Sequence, residues 1–368
     1  MKKISLIKPY LDIKEQNAVR ECIKSGWLSF RGKYVKKFED KFKKLIGGGY
    51  VLSTSNGTHS IELALLALGI KKGDEVIIPD FSFVATINAI VAVGAKPVIV
   101  DVSLQNWLID FEKIKKKISK KTKAILLVYT YGIISNISEI KKIIKKNKLF
   151  LIEDCAESLG SKFNKKIVGL RGDAATYSFF PNKTITTGEG GIVVFKEKKV
   201  YEKARIIRNQ GREESNVDFQ SKVIGRNYRM NNIQAAIGFE QLNKINKILI
   251  KKKNIFNNYF LFFKNNKSIE CLPVIKKYEN SYWLFVVRLV GFNKNQRDSI
   301  IKKLQAKNIE TRPGFFPISL MKPFINYSKN QCRNSIQLSE STICLPSSYN
   351  LTLKQQKYIT NSLLKILS

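Results

Sequence analysis

The chain has 368 residues, enough for a large domain with a smaller one beside it. No apolar run reaches about 18 residues, and MetLysLysIleSerLeuIleLysProTyr (1–10) lacks the apolar core of a secretion signal, so a soluble, cytoplasmic protein with no membrane association is expected. The 65 Lys and Arg against 29 Asp and Glu give a formal net charge of +36, but Lys dominates that excess and lies along amphipathic stretches such as 111–123 and 140–148. Those read as solvated helix faces, and no helix-turn-helix, zinc finger or RNA-binding aromatic pattern accompanies them, so nucleic acid is not an expected partner.

Residues 1–45 read as an irregular arm followed by a helix over 34–45. ThrSerAsnGlyThrHisSer (54–60) opens a helix over 61–68 that ends at Gly69, and a buried strand follows at 75–79. The pattern then repeats: a helix over about 82–93, a strand at 97–101, a helix near 110–118, a strand at 124–129, a lysine-rich helix, and a strand at 149–154. Strands that are apolar throughout and alternate with helices predict an α/β fold with a mainly parallel sheet covered on both faces. From 231 to 263 the helical pattern runs long enough to bridge two domains. A strand over 282–290 and helices near 294–307 and 352–366 form a smaller α+β unit. The expected division is 1–245 for the large domain and 246–368 for the small one.

Cys22, Cys155, Cys271, Cys332 and Cys344 are odd in number, scattered and without paired spacing, which argues against a disulfide framework or a metal site; Cys155 is expected in the core.

The chemistry concentrates in two places. Asp154 ends the apolar run LeuPheLeuIleGluAsp (149–154), and Lys183 stands in SerPhePheProAsnLysThrIleThrThrGlyGluGlyGly (178–191). One lysine in so basic a chain is most simply a surface charge, and Asp154 alone is as readily a helix cap. Lys183, however, lies between SerPhePhe and a glycine-rich turn leading into IleValValPhe, a strand–loop–strand setting few surface lysines share. A carboxylate at a strand mouth keeps a pyridine nitrogen protonated, and a lysine forms a Schiff base and moves protons; together they suit pyridoxal phosphate. Gly57 and Thr58, ahead of a helix, fit an anion cradle, and Ser178 offers a second hydroxyl. Phe83, just past the strand at 75–79, is placed either to stack on a flat ring or to fill the core.

These segments, with GlyAspGluValIleIleProAspPheSerPheValAlaThrIleAsnAla (73–89), IleGluAspCysAlaGluSerLeuGly (152–160) and GlyArgAsnTyrArgMetAsnAsnIleGlnAlaAla (225–236), resemble in order those of the DegT/DnrJ/EryC1/StrS nucleotide-sugar aminotransferases over residues 5–345. The resemblance implies a fold-type-I pyridoxal-phosphate transferase, like aspartate aminotransferase, acting as a homodimer with shared active sites. It makes Lys183 the Schiff-base lysine, Asp154 the ring-nitrogen partner, Phe83 the stacking aromatic, and Gly57, Thr58 and Ser178 the phosphate contacts. Asn227 matches an asparagine offered to the phosphate across the dimer, Glu157 a position often held by Gln near the phenolic oxygen, and Arg229 a substrate contact. L-glutamate would be the donor and a nucleotide-linked keto sugar the acceptor. AsnTyrArgMet (227–230) and ThrArgProGlyPhePhePro (311–317) look most like the perosamine-synthase branch, which implies a GDP-4-keto-6-deoxyhexose acceptor for surface glycan or O-antigen. Another 4-keto or 3-keto nucleotide sugar stays open, because the 315–325 segment lacks the histidine common in relatives and His59 lies elsewhere. A related 3-dehydratase group carries His in place of Lys183, and a DNA-binding regulator would use only the basic surface.

Overall fold

The computed structural model describes residues 2–213, 218, 220–274, 278–328 and 332–368. The first helix, α1 (Ile13–Ser25), lies where the sequence predicts an irregular arm. Its buried residues are Glu15, Ala18 and Cys22, too small or polar to mark an apolar stripe, and its start is set by a capping box between Asp12 and Glu15. Helix α2 (Lys33–Ile46) buries Tyr34, Val35, Phe38, Phe42 and Ile46 at helical spacing.

The large sheet contains β1 (Tyr50–Thr54), β2 (Glu75–Pro79), β3 (Lys96–Val100), β4 (Thr122–Val128) and β5 (Phe150–Asp154). A small hairpin, β6 (Lys162–Phe163) and β7 (Lys166–Ile167), precedes its last strands, β8 (Ala174–Ser178) and β9 (Gly191–Phe195). The order across the sheet is β1-β9-β8-β5-β4-β2-β3. Only β9 runs against its neighbours, so β1, β2, β4, β5 and β8 all end at one edge. Helices α3 (Gly57–Ala67), α4 (Ala85–Ala92), α5 (Phe111–Lys117) and α6 (Ile137–Asn147) connect strands β1 to β5, and α7 (Lys198–Arg208) follows β9. Two apolar layers cover the sheet, one built on Ile77, Ile125, Leu127 and Leu151, the other on Val76, Ile78, Leu126 and Ile152.

The long helical run is two helices, α8 (Asn232–Asn243) and α9 (Ile245–Phe263), broken at Lys244, whose ammonium pairs with Asp12 and Glu15. The remaining strands are β10 (Ile269–Cys271), β11 (Tyr278–Glu279), β12 (Phe285–Leu289), β13 (Arg312–Pro313) and β14 (Thr342–Leu345). Four of them form a second sheet in the order β10-β12-β14-β13, while β11 pairs with β6; helices α10 (Lys294–Ala306), α11 (Arg333–Ser341) and α12 (Leu353–Leu367) complete this part. Its core also takes in Ile4 and Leu6 of the N-terminal arm. Ile4 exchanges backbone bonds with Asn308 and Glu310, and Leu6 accepts from Ser347 N–H, so the arm crosses to the C-terminal sheet. Strand β12 starts at Phe285, three residues later than its composition suggests, because Tyr282 takes a left-handed conformation (φ 56°) and turns Trp283 out of the strand direction. Among the described residues, no helix is long and apolar enough to cross a membrane.

Candidate active site

A cavity of about 540 Å³ opens at the common edge of the parallel strands, where an open α/β sheet offers its ligand site. It is lined by Asn56, Gly57 and Thr58 after β1, Phe83 and Thr86 after β2, Asp154 at the end of β5 and Glu157 beyond it, and Ser178 at the end of β8 with Lys183 beyond it. The C-terminal part closes it with Trp283, Arg312 and Phe315.

Helix α3 begins at Gly57, with the Asn56 side chain accepting the His59 N–H at 2.8 Å. The remaining N–H groups of its first turn have no partner within the helix and suit an anion. A methyl group at Gly57 would lie 2.7 Å from Ser178 Cβ and 3.0 Å from its Oγ, so the glycine lets α3 meet the end of β8. Gly57→Ala is expected to destabilise the fold by about 1–3 kcal/mol through overpacking, checked by urea unfolding; an unchanged midpoint would contradict this contact.

Asp154 is fixed by two donors: the Ala156 N–H to Oδ1 at 3.1 Å and the Thr86 hydroxyl to Oδ2 at 3.3 Å. Burial holds its carboxyl above the ordinary carboxylate range, against the Ala156 N–H and the Lys183 charge. Lys183 sits in a tight loop in which its own N–H donates to Phe180 O at 2.9 Å. Its Nζ lies 3.9 Å from Glu157 Oε1 and 4.2 Å from the centre of the Trp283 ring. Burial lowers the lysine's pKa, opposed by Glu157 and Asp154. The site therefore favours neutral forms of both acid and base, and a ligand carrying charge would offset what burial costs.

Glu157 is the most constrained of the expected residues. Its Oε2 accepts the Tyr131 N–H at 2.7 Å while the other oxygen faces Lys183, so the carboxyl is paired on both sides. Burial pushes it up to about 7. A folded-state value above the ordinary 4.5 means the native chain binds this proton more tightly than the unfolded chain, so the carboxyl's contribution to stability falls as pH rises from about 4.5 through about 7. Glu157→Gln is expected to lose less stability than wild type between pH 5 and pH 8, measured by urea unfolding; parallel losses would contradict the shift.

Phe83 stands at the rim, 57% exposed, with its ring centroid 6.3 Å from that of Phe315; it does not fill the core. Asn227 and Arg229 do not line this cavity in the single chain. Asn227 pairs with Asn209 as a β-bridge, and the Arg229 guanidinium donates to the side-chain oxygens of both and lies 4.3 Å over Phe30. His59 stacks on Tyr228 with ring centroids 4.0 Å apart, outside the cavity wall. Thr86, Tyr131 and Trp283 were not legible in the sequence; of these, Tyr131 sits shortly past the end of β4, a position that signals a site residue, while Thr86 lies in the first turn of α4.

The residues fit pyridoxal phosphate on their own chemistry. An open helix N-terminus flanked by hydroxyls suits a phosphate, a buried acid and a buried amine face the same space, and a buried atom on its wall, Asn182 Oδ1, has no partner. The fold and this constellation define a fold-type-I pyridoxal-phosphate enzyme. The chain belongs to the DegT/DnrJ/EryC1/StrS aminotransferase family, which matches residues 9–364. It is 40% identical to the GDP-perosamine synthase of Escherichia coli O157:H7, with 99% of this chain and 98% of that protein aligned. The GDP-perosamine synthase of Vibrio cholerae is 38% identical over 97% of each. Among solved structures, the aminotransferase TlmJ from Streptoalloteichus hindustanus superposes with a TM-score of 0.93 at 28% identity, covering 99% of both chains.

Proposed function

We propose that this chain moves an amino group from L-glutamate to a nucleotide-linked keto sugar, a GDP-4-keto-6-deoxyhexose as in perosamine synthesis, for a surface glycan such as O-antigen. The observation that carries this reading is the meeting of Asp154 and Lys183 on one cavity wall, in a chain aligned end to end with proteins named GDP-perosamine synthase. Bound pyridoxal phosphate would supply an electron sink for charge developing at the carbon that bears nitrogen. Asp154, oriented by Thr86 and Ala156, holds a negative charge where a protonated ring nitrogen needs one. Gly57, Thr58 and Ser178 would hold the cofactor's phosphate, and Phe83 would cover its ring.

Lys183 carries the proton. Burial makes its neutral form accessible, so its Nζ can accept a proton from the amine-bearing carbon of one substrate and return one to the other. Glu157 stands beside that amine and takes the place of the usual Gln near the phenolic oxygen. The same reading includes a cytoplasmic homodimer in which Asn227 of a second copy reaches the phosphate and Arg229 meets substrate. It also places the domain division near residue 245, with the arm crossing to the smaller domain. Incubation with L-glutamate and a panel of UDP-, GDP- and dTDP-linked keto sugars, read by mass spectrometry, tests it: amination of the GDP-linked 4-keto-6-deoxy sugar is expected, and amination confined to another nucleotide would overturn the substrate.

A further inference from the structure

Lys252, on α9, is buried with no role in the chemistry above. Its Nζ lies 2.9 Å from the carbonyl oxygen of Trp283 and 3.0 Å from that of Ser347. Burial pushes its pKa down to about 7, against the support the two carbonyl contacts give the charged form. A neutral amine has two N–H bonds, and two carbonyl acceptors are what Lys252 meets. Burying a lysine without an acid is costly, whereas an apolar side chain of similar volume would fill the space at less cost. The residue therefore does something a hydrocarbon cannot.

What it holds is the segment that delivers Trp283. The turn before it is anchored by Ser281, whose N–H donates to Ser161 Oγ and whose hydroxyl donates to Glu157 O, and it passes through the left-handed Tyr282. From there the indole reaches across the seam between the two parts of the chain. Its Nε1–H donates to Asn182 O at 2.5 Å, the carbonyl just before Lys183, and its face lies 4.2 Å from the Lys183 amine. A single side chain thus grips both the main chain and the head group of the working lysine. An indole face attracts a cation, and Lys183 also faces Asp154 and Glu157.

We propose that Trp283 is a positioning residue for the Lys183 amine, and that Lys252 acts as a two-donor clamp holding Trp283 in place. This rests on the reading of Lys183 as the reacting amine, but its test needs no bound cofactor. In the full chain without added pyridoxal phosphate, acetylation of Lys183 by acetic anhydride is followed against pH by peptide mass spectrometry, with exposed Lys36 as an internal reference. Loss of the indole removes a partner of the charged amine, so in Trp283→Leu the Lys183 midpoint is expected to fall by about half a unit to one unit. Trp283→Phe, which keeps an aromatic face and covers the case in which the leucine variant does not fold, should shift it in the same direction by less. Lys252→Met releases the Trp283 carbonyl and should lower the Lys183 midpoint.

An unchanged or higher midpoint in Trp283→Leu, or in Trp283→Phe if only that variant folds, would overturn the positioning role. An unchanged or higher midpoint in Lys252→Met would overturn the clamp. If cofactor binding at Lys183 failed instead, these midpoints would still shift, so the two failures are distinguishable.

Discussion

Lys183→Ala is expected to fold as the wild type does, to lose the yellow absorption of a lysine-linked cofactor, and to lose turnover by at least about 10³–10⁴-fold. The magnitude follows from asking one group to accept and donate the proton in both halves of the transfer. The cavity offers no ready substitute: Asp154 is held by Thr86 and Ala156 at the end of β5, and Glu157 is held by the Tyr131 N–H. Stability should be little changed or slightly higher, because alanine removes a buried amine whose charged form burial disfavours. Absorption spectra, thermal unfolding and steady-state rates measured on one preparation check this. A variant that keeps both the colour and the rate would remove Lys183 from the mechanism.

Asp154→Asn tests the other half of the pair. The amide keeps the size of the side chain and can still accept from Ala156 N–H and Thr86, so the end of β5 should hold its shape. What is lost is the negative charge facing the ring nitrogen, and with it the ring's power to take up electrons. A fall in turnover of about 10²–10³-fold is expected, the usual scale for removing one preorganised electrostatic partner. Burial also predicts a variant at least as stable as wild type at neutral pH, since the carboxylate is the form the site disfavours. Wild-type turnover from the folded variant would contradict the electronic role.

The parallel strands were legible in the sequence because each is an apolar run bounded by turns, and β2, β3, β4 and β5 lie within a residue or two of where those runs predict them. Two elements were not. Helix α1 buries a glutamate, an alanine and a cysteine, so its periodicity is carried by residues that do not read as a core face. Lys244 has helix-compatible neighbours on both sides, and only its backbone angles divide α8 from α9.

The candidate site divides in the same way. Gly57, Thr58, Phe83, Asp154, Glu157, Ser178 and Lys183 lie at or shortly past strand ends, and the topology brings them to one edge; the strand pattern pointed to most of them, whereas only the family resemblance pointed to Glu157. Trp283 was hidden because it reads as the start of an aromatic strand; its place depends on the left-handed Tyr282 and on contacts from Lys252 and Asn182, which no local spacing reveals. Asn227 and Arg229 lie away from the cavity of their own chain, so any part they play there requires a second copy.

The proposed chemistry stands on Lys183 being the residue bonded to pyridoxal phosphate. Reduction of the holoenzyme with borohydride, followed by proteolysis and peptide mass spectrometry, measures this directly. The phosphopyridoxyl mass is expected on Lys183; its appearance on a different lysine, or on none in a protein that binds the cofactor, would take that role from Lys183.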